Sequence, residues 1–229
     1  MNTLVKLKLC LLFCAFFLIC TAVTGSISNA TNQPETSTGA GADPRDELIK
    51  AMRTMLGARS YRSRTTSSSS SGITSTTMLE FVAPDRFHLS RETQSQRGTL
   101  KQETIIIGND SWMKTGGASW QTFPMDLGNL IAQLRNPKVV DELAHATEVK
   151  FIGTDTLEGT PAMVYQFTLD ERDGKGFKNT TRTWVSVADG LPLKTEANVE
   201  MSIAGKTTHI KATTTYLDYG ADIKLQPPI

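Results

Sequence analysis

Beyond its N-terminal apolar stretch the chain contains no cysteine. Cys10, Cys14 and Cys20 are its only three, and all fall within the first two dozen residues. The remainder therefore has no disulfide framework, no thiolate metal ligand and no cysteine nucleophile. Histidine is equally scarce. His88, His145 and His209 have no metal-ligand partner at i+2, i+3 or i+4, and H-E-x-x-H is missing, so no metal and no cofactor is expected. The chain also lacks a G-x-S-x-G elbow, a Walker loop and a G-x-G-x-x-G after a strand. Its adjacent carboxylates, Asp141-Glu142 and Asp170-Glu171, do not share a face in either a helix or a strand. No catalytic residue is assigned, and the expectation is a binding protein rather than an enzyme. Catalysis by residues gathered from distant strands is the alternative.

An excess of charge of either sign is missing too. The full chain has 24 basic and 23 acidic residues. Lys6 and Lys8 lie in the N-terminal stretch, which carries no acid, so 24 − 2 leaves 22 basic against 23 acidic residues, a net −1. With no basic surplus to neutralise phosphates, a nucleic-acid partner is not expected.

What is present begins with a leader. Lys6 and Lys8 precede an apolar run from Leu9 to Val23, and small residues follow at Gly25, Ser26, Ser28 and Ala30. That run is shorter than the roughly 20 residues a spanning helix needs, so 1–30 reads as a secretory signal. An uncleaved anchor is one alternative, and lipidation at Cys20 is another. Residues 31–42 are rich in Thr, Gly, Ser and Ala and read as a flexible tether. Residues 43–229 are enough for a single domain with its own core.

Asp43-Pro44 opens a helix, Asp43 as N-cap and Pro44 at the first helical position. Leu48, Ile49, Met52, Met55 and Leu56 form one apolar stripe, and Gly57 ends it. From Tyr61 the period changes to two, as in Leu79, Phe81, Phe87 and Leu89, then Met163 to Leu169, then Leu193 to Ile203. Such alternation predicts an antiparallel sheet with one wet and one dry face. Gly108-Asn109, Gly116-Gly117, Asp173-Gly174, Asp189-Gly190 and Ala204-Gly205 supply hairpin turns. The result is a meander of about seven to ten strands, curling into a barrel or part of one. One helical pair interrupts it: Leu127, Leu130, Ile131 and Leu134 have helical spacing, and Asn136-Pro137 starts a second short helix carrying Val139, Val140 and Leu143.

Five segments in order resemble the bacterial lipoprotein-carrier superfamily (LolA- and LolB-like, LppX- and LprG-like and RseB-like domains). They are Leu79–His88 with its strand–proline–strand passage, Ile107–Trp112 through Trp120 and Pro124, Gly153–Gly159 leading into Val164–Phe167, Thr183–Pro192, and Tyr216–Gly220 before Pro227-Pro228. The resemblance covers 43–228. It implies a mainly β, α+β fold: an unclosed antiparallel half-barrel whose hollow takes acyl chains, with an N-terminal helix and the inserted helical pair closing it. One position departs. The lipoprotein carrier has an arginine directly before the proline where this chain has Ala83, so lipid binding in the broader sense is what the resemblance implies.

The apolar phases of the strands then nominate a lipid-binding wall: Leu79 and Phe81, Phe87 and Leu89, Ile105 and Ile107, Phe151, Tyr165 and Phe167, and Leu193, Val199 and Met201. Leu127, Leu130, Ile131 and Leu134 are the expected lid, with a hinge at Asn136-Pro137. The expected function is extracytoplasmic (periplasmic or secreted) binding and transport of lipid or lipidated protein by a monomer. Its ligand would be a lipid or the acyl chain of a lipoprotein, with a membrane surface or an envelope protein as further partners. A filled-core sensor or protein-interaction domain of the cell envelope is the alternative.

Overall fold

The computed structural model of the chain describes residues 43–123, 127–136, 140–141, 143, 146–170, 176–203 and 205–229. The leader with its three cysteines, the tether, Pro124, Pro137, Val139, Glu142, His145, Glu171, Asp173-Gly174 and Ala204 lie outside these residues, as do the side chains of Leu130 and Leu134.

Helix α1 spans Pro44–Leu56. The Arg45 amide donates to Asp43 Oδ1 at 2.8 Å, and the Gly57 amide donates to the Arg53 carbonyl, so both ends have their caps. Leu48, Ala51, Met52 and Met55 form its buried face.

Among the described residues eleven strands follow, more than the periodicity predicted. They are β1 (Ser60–Ser69), β2 (Thr74–Val82), β3 (Arg86–Ser95), β4 (Gly98–Ile107), β5 (Asp110–Thr115), β6 (Gln121–Thr122), β7 (Thr147–Leu157), β8 (Thr160–Asp170), β9 (Phe177–Ser186), β10 (Pro192–Ile203) and β11 (Lys206–Leu217). Helix α2 (Leu127–Leu134) lies between β6 and β7. The additional elements are ones that apolar periodicity does not mark. β1 is almost wholly Ser, Thr and Arg after Tyr61, and β6 is two residues long.

All eleven strands form one antiparallel sheet in the order β6-β5-β4-β3-β2-β1-β11-β10-β9-β8-β7. It is two meanders joined where β1 pairs with β11, Ser63 opposite Tyr216. The sheet does not close. Its opposite edges are β6 and β7, which are consecutive in the chain, so the segment carrying α2 runs from one edge to the other. That topology makes the segment a strap across the open side of the sheet.

The main core confirms on which face the strap lies. Leu48 and Met52 of α1, Leu127 and Ile131 of α2, and Val140 and Leu143 beyond it pack with Phe81, Phe87 and Ile106 from one half of the sheet and Tyr165, Phe167 and Val185 from the other. Both halves thus curve around the helices. The face they share is the concave one.

Candidate ligand-binding face

Residues directly opposite one another in an antiparallel pair share a face, so the register assigns each side chain to the concave or convex side. One concave row reads Tyr61, Phe81, Phe87, Ile106 across β1 to β4. Its rings are in contact, with centroids 5.2 Å apart for Tyr61–Phe81 and 4.9 Å for Phe81–Phe87. A parallel row carries Ser63, Leu79, Leu89 and Thr104. In the other half Tyr165, Phe167, Val199 and Met201 take the same face. Phe151 joins it opposite Tyr165, but on the edge strand β7, where it is 49 % exposed.

Three nominated residues lie on the convex side. Ile105 is opposite His88, and Ile107 opposite Arg86, while Ile106 between them is fully buried in the concave core. The run Ile105-Ile106-Ile107 has no alternation to set its phase. Leu193 is displaced by a bulge. Three residues of β10, Pro192 to Lys194, face two of β9, Val185 and Trp184, and the extra residue switches face. Leu193 consequently packs with Ala162, Val164 and Trp184 in a separate cluster.

Sequence periodicity missed the other constituent of the concave face, a field of small hydroxyls. One row runs Thr77, Thr65, Thr214, Thr195, Thr183, Tyr165 across six adjacent strands. The next carries Ser75, Ser67, Ala212, Ala197, Thr181 and Phe167. All of these threonines and serines are buried. The usable signal was that they share the phase of Phe81 or Val185, whereas Glu80 and Arg182 take the opposite phase.

Some of these hydroxyls pair with each other. Thr65 and Thr214 are bonded at 2.9 Å, Ser67 and Ser75 at 2.9 Å, and Thr181 Oγ1 donates to Asn179 Oδ1 at 3.1 Å. Thr183 Oγ1, Thr195 Oγ1 and Asn179 Nδ2 are shielded from solvent with no hydrogen-bonding partner. An orphaned buried polar group costs about 1–3 kcal/mol.

Arg135, just after α2, ties the strap down. It donates from Nη2 to the Leu56 carbonyl at 2.6 Å, and its guanidinium lies 3.6 Å from the Phe81 ring centroid. Burial depresses its pKa, and Tyr61 beside it partly offsets that. Burial in turn raises the Tyr61 pKa.

The convex face carries charge. Glu80 bridges Arg62 at 2.7 Å and His88 at 3.1 Å, and Lys114 bridges Glu103 at 2.9 Å. Two shallow grooves lie on this side. One of about 280 Å³ is lined by Gln166, Thr180, Arg182, Glu196 and Asn198, and one of about 170 Å³ by Thr74, Ser75, Thr76, Glu92 and Gln94. Both are polar. Among the described residues no group of His, Asp and Glu could hold a metal ion, and no helix is long and apolar enough to cross a membrane.

An unclosed, curved antiparallel sheet wrapped around an N-terminal helix and a crossing strap defines the half-barrel class of fold. Two solved structures share it over most of the chain. The lipoprotein LppX of Mycobacterium tuberculosis superposes with a TM-score of 0.58 at 12% identity, covering 80% of this chain and 98% of that one. LprF of Mycobacterium bovis gives 0.55 at 11% identity, covering 81% and 96%. No family model matches the chain, and no curated protein does. The likeness is one of fold, and it agrees with the resemblance carried by the five sequence segments.

Proposed function

We propose that the protein binds lipid, or the acyl chains of a lipidated protein, outside the cytoplasm. The observation that carries this reading is the pairing of an aromatic and aliphatic concave wall with a strap that the topology forces across it. Tyr61, Phe81, Phe87 and Ile106 on one side and Tyr165 and Phe167 on the other belong to one apolar cluster with the helices. Burying an acyl chain against such a wall is worth about 0.8 kcal/mol per methylene. Ligand uptake needs the core under α1 and α2 to open, and the strap is the element to move. In this reading Leu127, Leu130, Ile131 and Leu134 are the lid. Phe151 is the rim residue where a chain enters, since it is half-exposed yet touches Tyr165, with ring centroids 5.7 Å apart. The likeness to LppX and the apolar leader both support export, and binding without catalysis is the role this wall suits.

A second reading is favoured by the closed packing of that same wall: a filled-core domain whose convex, charged face meets an envelope protein. Mass spectrometry of organic extracts from the purified protein separates the two. Recovery of a stoichiometric lipid is the expected result. Extracts free of lipid, with no uptake of a fluorescent fatty acid, would leave the filled-core reading.

A further inference from the structure

The concave face has two chemically different ends. At the α1 and α2 end the wall is aromatic and aliphatic. At the other, small hydroxyls along β1, β2, β9, β10 and β11 flank a smaller apolar cluster of Ala197, Val199, Ile210 and Ala212. On the β1, β2 and β11 side those hydroxyls satisfy one another through Thr65–Thr214 and Ser67–Ser75. On the β9 and β10 side they do not. Thr183 and Thr195 are direct cross-strand neighbours, exposed by 0 % and 1 %, yet neither hydroxyl has a partner. Asn179, also fully buried, keeps its amide nitrogen unpaired although its oxygen accepts from Thr181. It lies four residues further along β9, about 13 Å at the rise of an extended strand.

Three orphaned polar atoms on the neighbouring strands β9 and β10 mark the place of a missing partner. Asn179 Nδ2 can only donate, whereas the threonine hydroxyls can donate or accept. Both kinds of group are served by ester or hydroxyl oxygen. A plain alkyl chain would leave all three unsatisfied.

Resting on the lipid reading above, we infer that Thr183, Thr195 and Asn179 form a polar subsite inside the hollow. It takes the ester or hydroxyl oxygens of an acylated polyol while the chain lies against the aromatic end. The subsite selects oxygenated amphiphiles over hydrocarbons of equal length, because only the former complete the hydrogen bonding of the wall.

The test uses the purified protein and two probes. N-phenylnaphthylamine, an apolar dye without oxygen, is titrated directly, and monolauroylglycerol is measured by displacing it. The variant Thr183→Val with Thr195→Val keeps side-chain shape and removes both hydroxyls. It is expected to weaken monolauroylglycerol binding by about tenfold while dye affinity holds. Thr183→Ser with Thr195→Ser, which keeps the hydroxyls, is expected to bind both probes as the wild type does. Equal affinities in wild type and valine variant would mean that the orphaned atoms hold ordered water only, and would overturn the subsite while the lipid reading stands. Equal losses for both probes would overturn it too, since the residues would then act on shape alone. A wild-type protein that takes up neither probe would overturn both proposals.

Discussion

Gly128, in the first turn of α2, lies directly against the carbonyl of Gly108 in the β4–β5 turn, so closely that a β-carbon at Gly128 would overlap that oxygen. The contact is backbone on backbone, with no flexible side chain to yield. It seats one end of the strap on the sheet, and the chain just before α2 is held to β5 by the Phe123 amide donating to the Ser111 carbonyl and the Ser111 hydroxyl donating to the Phe123 carbonyl.

Gly128→Ala should therefore shift α2 outward or distort the turn. The expected cost is about 1–3 kcal/mol, typical of overpacking, read as a lower urea midpoint. A substitution at Gly117, around which nothing lies within contact distance, is the control and should be near neutral. An unchanged midpoint in Gly128→Ala would show that the strap does not rest on this turn.

The second prediction concerns the phase of β4. Ile106 is fully buried against Phe87, while Ile105 and Ile107 belong to the convex face. Ile106→Ala should cost about 2–5 kcal/mol as a core truncation, and Ile105→Ala distinctly less. Denaturant melts of the two variants, side by side, check the register. The same strand shows where the sequence was legible. Alternation set the face of Leu79, Phe81, Phe87 and Leu89 because charged or polar residues separate them. A run of three isoleucines sets no phase, and the bulge at Leu193 obeys backbone geometry that hydropathy does not encode. The hydroxyl rows were hidden for a related reason: threonine on both faces of a strand looks like a polar strand. Helix α1 was legible to its caps, because Asp43, Pro44 and Gly57 act locally. That the strap must cross the hollow follows only from the pairing of β1 with β11, a long-range fact.

Alkaline stability should follow the tyrosine cluster at the aromatic end. Tyr61 and Tyr219 stand with ring centroids 5.7 Å apart, and burial raises the pKa of both. A phenol with a raised folded-state pKa contributes stability that is complete below its unfolded value, about pH 10, and is lost as pH climbs toward the folded value. Stability should accordingly be flat from neutral pH to about pH 10 and fall above it. Tyr61→Phe should reduce that alkaline slope. Tyr219→Phe should do so too, at a cost of about 1 kcal/mol at neutral pH for the lost bond to the Pro192 carbonyl. Urea melts between neutral and strongly alkaline pH provide the check, and a slope unchanged from the wild type in both variants would locate the titration elsewhere.

The last prediction tests whether the strap opens as a unit. Helix α2 has eight residues, fewer than the about 12–15 that an isolated helix needs to persist in water, so its persistence depends on what it rests upon. Those supports are identifiable: Leu127 and Ile131 in the core, Gly128 on the β4–β5 turn, and Arg135 across Phe81 and the Leu56 carbonyl. They are few compared with the paired rows that hold β2 and β3. Local opening is therefore expected at a free energy below that of global unfolding. Native-state hydrogen exchange should show the α2 amides exchanging well before those of β2, β3 and β9. Arg135→Ala should accelerate α2 alone, because it releases the strap without touching the ladder of the sheet. Monolauroylglycerol should slow α2 exchange if the strap closes over a bound chain. Exchange of α2 only through global unfolding, with or without lipid, would make the strap a fixed plug.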